Sequence, residues 1–428
     1  MNSANAILAV LALLSLALAL WQWLAARGFP LHKRIAGAGF APPISILKPL
    51  KGCDATTAES LQSWFSQNYS GQTQILLGVA DANDPVCKIV REIIATNPKS
   101  DAQLVICEKL IGTNAKVAKL AQLEKLAKHG FILVSDADVR VPADFLANLA
   151  APLCDEGRAD SPLPAAAIQS DPGAHRVTRP TVGLVNCFYR LANPTTTAMR
   201  WEAVAINADF WSQVLQSQTL KPLDFALGAA MLIRREALAE IGGFSSLADC
   251  LADDYQLGNR IAKTGRRIAL CPVVAECWDA PMNWRDVWKH QLRWARTIRV
   301  CQPLPYFFSI LSNATLWPLL WLASILIKCL PTSISNAHGD LLRYFETKTA
   351  SLDGTILAIA LLLIRIALAE NLQRRLTPGR NLVSPFWLVT VKDLLQAAIW
   401  FCSFTGNTVE WRGRKMKLRR DGTLVEEK

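Results

Sequence analysis

The longest uncharged apolar stretch covers residues 6–26. At about 1.5 Å per residue a helix over it reaches roughly 30 Å, the thickness of a hydrocarbon core, so the pattern predicts a membrane-spanning helix. No basic segment precedes it and it exceeds the apolar length of a signal peptide, which favours a retained anchor over a cleaved leader. A basic linker follows from Arg27 to Arg34. The pattern then changes to short apolar runs separated by helical periodicity, continuing to about Arg299. Strands are predicted over 44–47, 74–79, 104–107 and 131–134, with helices over 57–64, 86–95 and 116–128. Such alternation predicts an α/β domain, a parallel sheet with helices on both faces.

Residues 156–180 are rich in Pro, Ala, Ser and Asp and have little periodicity, the pattern of a surface insertion or mobile loop without catalytic content. Strand character returns over 181–188, and helical spacing over 235–241 and 254–264. From 284 to 299, Trp284, Val287, Trp288, Leu292 and Ala295 recur on one helical face while Lys289, Arg293 and Arg296 lie on another. An amphipathic helix of this kind can lie on a membrane with its tryptophans at headgroup depth.

Three further apolar runs follow, over 306–327, 355–369 and 386–404. If all three crossed the bilayer, the basic tail would lie opposite Lys33-Arg34, against the positive-inside bias. The last run also holds Lys392-Asp393, costly at mid-membrane unless paired. The expectation is therefore three spans plus a re-entrant or interfacial segment near 382–404. The layout is an anchor over 1–27, a catalytic domain over 40–300, a membrane region over 305–405 and a basic tail over 406–428. This makes a multi-pass membrane protein with domain and tail on the cytosolic face.

Composition supports a membrane protein: 51% of residues are hydrophobic. The net charge of +11 raises the possibility of nucleic-acid binding, but the basic residues sit largely beside apolar segments, so no nucleic-acid partner is expected. Arg412, Arg414, Lys415, Lys417, Arg419 and Arg420 crowd the tail, as a segment facing an anionic leaflet or as a solvated, disordered end. Eleven scattered cysteines show no zinc-ligand spacing and read as small hydrophobes in a reducing compartment.

Candidate chemistry gathers at predicted strand ends. Asp136 and Asp138, in Ser135-Asp136-Ala137-Asp138, follow a buried strand at the edge where open α/β sheets bind ligands. Such a pair can direct two carboxylates to Mg²⁺ or Mn²⁺ and so to a diphosphate, although an acidic turn is the commoner meaning of the spacing. Asp81 follows the strand over 74–79 and could accept from a base or ribose, whereas Asp84 reads as the N-cap of the next helix. Lys48 and Lys116, in Lys48-Pro49-Leu50-Lys51-Gly52 and Gly112-Thr113-Asn114-Ala115-Lys116, could each face phosphate. In Ala252-Asp253-Asp254-Tyr255, Asp253 fits an N-cap or a first-turn acid satisfying the helix dipole, leaving Asp254 as a general base. The turn Ile241-Gly242-Gly243-Phe244 is expected to line an acceptor entrance.

In order, Asp81, Asp136, Asp254 and His290-Gln291-Leu292-Arg293-Trp294 resemble the spaced signature of family 2-like GT-A glycosyltransferases. The chain is most similar to the ceramide glucosyltransferase family, including its hopanoid-associated bacterial relatives. That resemblance implies a GT-A nucleotide-sugar-binding domain with a mixed, Rossmann-like sheet. It also implies Asp81 on the uridine of a UDP-sugar, Asp136 and Asp138 on a metal-diphosphate, Asp254 as base, and Arg293 and Trp294 closing the site. The implied reaction is inverting transfer of a sugar, glucose as first choice, to the hydroxyl of a ceramide- or hopanoid-class membrane lipid. Where the broader family has Gln or Arg heading its Q-x-x-R-W motif, this chain has His290, with Gln291 one place later. The alternatives are a hopanoid-lipid N-acetylglucosaminyltransferase, a processive polysaccharide synthase and a non-catalytic lipid-binding protein. A synthase needs a translocation channel, for which the spans are few, and lipid binding alone leaves the ordered acids unexplained.

Overall fold

The computed structural model describes residues 3–34, 39–156, 180–329, 341–379, 384–411 and 414–426. The expected loop over 156–180 falls almost wholly outside them. The described residues form two units that interleave along the sequence.

One unit holds residues 30–193, 217–280 and 411–428. Its centre is β1 (Ile44–Pro49), buried at every position. Strands β2 (Thr73–Val79), β3 (Asp101–Ile106) and β4 (Phe131–Ser135) join it in parallel register, β2 and β4 on either side and β3 beyond β2. β5 (Val139–Arg140) follows the acidic turn, and β6 (Val182–Leu191), β7 (Ala230–Arg234) and β8 (Arg267–Cys277) complete an eight-stranded sheet in the order β3-β2-β1-β4-β7-β6-β8-β5. β7 runs antiparallel to both β4 and β6, and β5 antiparallel to β8. The sheet is thus mixed, as the GT-A resemblance implies, and not wholly parallel as the alternation alone predicts.

The difference arises in the second half of the sheet. There β7 is only five residues long and follows the small-residue segment Gly228-Ala229, so no turn signal or period announces it.

The basic tail is not a solvated, disordered end. Arg414–Leu418 and Leu424–Glu426 form an antiparallel hairpin with Met416, Leu418 and Leu424 buried. The Leu424 N–H donates to the Asp249 carbonyl at 2.8 Å, and the Leu251 N–H to the Gly422 carbonyl at 3.3 Å. Alternating apolar residues between the charges, Met416, Leu418 and Leu424, are what give the hairpin a face to bury.

The other unit holds residues 1–29, 194–216 and 281–410. Ser3–Gly28 and Leu352–Leu376 are each long and apolar enough to cross a membrane, and Pro303–Ser312 with Leu316–Ile327 could make a third crossing bent by 46°. Ala12, Leu16 and Ala19 of the first helix pack with Ala314, Trp321, Ile325, Ala358 and Leu361, and the alanines among them let helices approach closely. Trp387–Ser403 is shorter, and its Lys392 and Asp393 are buried with Asp209 and Arg365. Arg365 bonds Asp209 at 2.9 Å and Asp393 at 2.8 Å; Lys392 bonds Asp393 at 2.8 Å and also pairs with Asp209. Two acids and two bases cancel, which removes the charge argument against placing this helix at membrane depth.

Trp284–Cys301 is a helix as expected, capped by Asn283 accepting from the Asp286 N–H at 3.1 Å. Its buried stripe is Val287, Gln291 and Ala295, whereas Trp284 is exposed. The buried face therefore includes Gln291, a polar residue outside the apolar set that the periodicity picks out.

Candidate active site

The site is built in the α/β unit, where β1, β2 and β4 end at one edge of the sheet. The turn of Asp136-Ala137-Asp138 is pinned on both sides: the Asp136 N–H donates to the Ala229 carbonyl at 3.4 Å and the Trp278 N–H to the Asp138 carbonyl at 3.0 Å. Beneath it lies Lys48, fully buried, its Nζ donating to the Asp136 carbonyl at 2.6 Å and to Ser135 Oγ at 3.3 Å while lying over the Trp64 ring. Burial pushes its pKa down to about 7, against the pull of Asp138 and Asp136. Lys48 therefore supports the acidic turn from below and is not the exposed phosphate ligand its loop suggested.

Lys116 sits at the start of the helix Ala115–Glu124, whose N-cap is Asn114. Asn114 Oδ1 accepts from the Lys116 and Val117 N–H groups at 3.0 and 3.2 Å, and its amide donates to the Cys250 carbonyl at 2.8 Å. This fully buried asparagine joins the helix to the loop before Asp253. Lys116 Nζ then bridges Asp136 at 2.8 Å and Asp253 at 3.1 Å, and these carboxylates hold its pKa above the usual lysine range despite burial.

Ala252 holds the N-cap position, and Asp253 is a first-turn acid of the helix Asp253–Lys263, with its carboxylate paired to Lys116. Asp254, next in the chain, accepts from the Tyr255 N–H at 2.7 Å. Its pKa is pushed up to about 6 by burial and by the Asp253 charge, with Lys116 opposing. Asp138 is pushed up to about 7 by burial and by Asp136 and Asp279.

Among the described residues no three His, Cys, Asp or Glu side chains converge into a ready metal cage. The donor set nevertheless fits a hard cation. Asp136 and Asp138 are all-oxygen ligands, and burial together with the Asp136 and Asp279 charges disfavours ionisation of Asp138, a penalty that a bound cation would offset. Two carboxylates are also a usual protein share for Mg²⁺ or Mn²⁺, with water and diphosphate oxygens completing the shell.

The Glycosyl transferase family 21 model matches residues 6–160 and 174–424, nearly the whole chain. The chain belongs to this family. It is similar to ceramide glucosyltransferase 1 of Caenorhabditis elegans, 20% identical over 401 residues covering 92% of this chain and 76% of that protein. A ceramide glucosyltransferase of Candida albicans is 34% identical over 116 residues, 24% of this chain and 21% of that protein. Among solved structures, a mannosyltransferase of Pyrobaculum calidifontis in complex with GDP-Man and Mn²⁺ is 18% identical, covering 91% of this chain and 98% of that one at a TM-score of 0.49.

In this family 21 glycosyltransferase, then, Lys116, Asp136, Asp138 and Asp254 come together with Asp253. Asp81 follows β2 at the same sheet edge, exposed, its carboxylate accepting from the Asn83 N–H at 2.9 Å. Asp84 is structural: it accepts from the Gly52 N–H at 3.0 Å and from the Val86 N–H at 3.0 Å, tying two loops, while Pro85 holds the cap position. The turn Ile241-Gly242-Gly243-Phe244 does not line this cluster. Its Phe244 N–H donates to Glu124 at 2.9 Å, at the far end of the helix that begins beside Lys116, roughly 12 Å along its axis. Arg293 and Trp294 lie on Trp284–Cys301 of the other unit.

Sequence reasoning missed Asn114, readable as a helix cap between Gly112 and the helical run, and Gly228. Gly228 adopts φ +86, and a Cβ built there would fall 2.6 Å from Asp254 Oδ2. Nothing in the segment Leu227-Gly228-Ala229 signals that role.

Proposed function

We propose that this enzyme moves a sugar, glucose as first choice, from a UDP-sugar to a hydroxyl of a membrane lipid of the ceramide class, with inversion at the anomeric carbon. The observation that carries the reading is Asp254, a carboxylate with a pKa near 6 placed one residue from the Lys116 bridge between Asp253 and Asp136. A base titrating just below neutral pH is ionised at pH 7 yet takes a proton readily. The names of the similar nematode and yeast proteins support ceramide and glucose.

In this mechanism Asp254 receives the hydroxyl proton as the oxygen attacks the sugar, and UDP departs. Asp136 and Asp138 would hold Mg²⁺ or Mn²⁺, which supplies charge neutralisation at the diphosphate. Lys116 ties the acidic turn to the segment bearing the base. Asp81 serves the uridine, and Arg293 and Trp294 serve the diphosphate and acceptor.

The catalytic unit belongs on the cytosolic face. Arg27 ends the first span, Arg374 and Arg375 end Leu352–Leu376, and Arg375 donates to the Ala26 and Arg27 carbonyls at 3.4 and 3.3 Å, so these basic ends cluster. A membrane-impermeant thiol reagent should label Cys53, an exposed cysteine, in inverted vesicles and not in right-side-out ones.

The deciding experiment assays purified protein with several UDP-sugars against ceramide, hopanoid and diacylglycerol, beside Asp254→Asn. Glucosylceramide formation, lost by at least about a hundredfold in Asp254→Asn with an unchanged melting temperature, is expected. Absence of product with every lipid, or an active Asp254→Asn, overturns the reading; transfer to another acceptor overturns ceramide alone.

A further inference from the structure

His290, three residues before Arg293, has a partner the sequence does not advertise. Glu202, on the helix Thr197–Val204, is fully buried. One of its oxygens, Oε1, takes two bonds from consecutive residues: His290 Nδ1 at 2.7 Å and Gln291 Nε2 at 2.8 Å. A carboxylate only accepts, so Nδ1 carries the proton in this bond and the ring is fixed in orientation. The His290 ring then meets Trp294 edge-on, with centroids 4.7 Å apart. Trp294 is also flanked by Phe210 at 6.2 Å.

Glu202 and Phe210 are eight residues apart, which on a regular α-helix separates them by about 80°. Between them lies a π-helical turn, Ala205–Phe210. Absorbing one extra residue brings the two side chains to within about 20° of each other, so that both can address the same neighbouring helix. Asp209, in that turn, is the acid held by Arg365 and Lys392. The π turn is therefore anchored by buried ion pairs at the place where its geometry is used.

Arg293 and Trp294 stand three and four residues beyond His290, one helical turn along the same face. Fixing the side chains of His290 and Gln291 against Glu202 fixes the roll of that helix, and with it the direction of Arg293 and Trp294. We propose that Glu202 is a positioning residue for transfer, acting through His290 on the Arg293-Trp294 element. This rests on the reading that Arg293 and Trp294 belong to the transfer machinery.

The test is a double-mutant cycle on kcat/KM per folded molecule, with melting temperature as the fold control. Glu202→Ala and His290→Ala should each lose about 10- to 100-fold, as misplacement of a catalytic element does, and the double variant should lose no more than the worse single. Glu202→Gln keeps the accepting oxygen and should stay within about fivefold of the parent, whereas Glu202→Asp, which withdraws it by one methylene, should lose at least about tenfold. Losses that multiply in the double variant, or a Glu202→Gln as impaired as Glu202→Asp, overturn the proposal. The glutamine and aspartate variants carry the test if Glu202→Ala does not fold. Arg293→Ala separates the premises: if it transfers normally, the assigned role of Arg293 fails; if it is inactive while Glu202→Asp is normal, only the positioning role fails.

Discussion

At Gly228 two constraints coincide. Its φ of +86 lies where a side chain costs about 1–2 kcal/mol, and its missing Cβ leaves room for Asp254 Oδ2. Gly228→Ala should lower transfer at least tenfold while shifting thermal stability only modestly, since the displaced atom belongs to the base; equal activity in a steady-state assay counts against Asp254 in that role. The same carboxylate sets the pH response. Its pKa is raised to about 6, and a base works ionised, so kcat/KM should fall as pH drops through 6, about tenfold per unit below it. A profile flat from pH 7 to 5 would exclude Asp254 as the base. The acids were legible because each follows an apolar run. Their partners were not: Lys116 reads as one more loop lysine until Asn114, Cys250 and Asp253 meet, and sequence spacing of more than a hundred residues carries no trace of that meeting.

Among elements, the C-terminal hairpin matters beyond its size. Its Leu424 N–H holds the Asp249 carbonyl, Asp249 accepts from the Thr113 N–H at 2.9 Å, and Asn114 holds Cys250. A chain of backbone and side-chain hydrogen bonds thus runs from the tail to the loop beside Lys116 and Asp253. Leu424→Pro, which removes that donor, should lower kcat/KM several-fold beyond Leu424→Ala, which keeps it; equal kinetics for the two variants would show that the strand contact does not reach the site. Parallel strands β1, β2 and β4 were readable from their apolar runs. β7 and the hairpin were not, since a five-residue strand after Gly228-Ala229 and a tail dominated by charge both lack the period that local reasoning uses.

For the molecule as a whole, the membrane-associated unit depends on charge balance. Asp209, Arg365, Lys392 and Asp393 are all buried, and removing one charge leaves the others uncompensated. Arg365→Met should cost about 3–5 kcal/mol, read as a lower melting temperature in detergent, and Arg365→Lys should cost less. A Met variant as stable as the parent would mean the cluster contributes nothing to holding these helices. The four residues were individually visible in the sequence, but only Lys392-Asp393 stood out, because Asp209 and Arg365 reach them from separate stretches of chain.

The interleaving of the two units bears on how the chain is made. The sheet is drawn from residues before 278, yet the strand contact beside Asp253 and Asp254 comes from Gly422 and Leu424. A ribosome emits Asp254 well over a hundred residues before those partners, and at about 5–20 residues per second the interval is on the order of ten seconds. During that interval the apolar helices between 303 and 403 emerge. The loop before Asp253 and Asp254 therefore gains its last strand contacts only after the apolar helices have been synthesised.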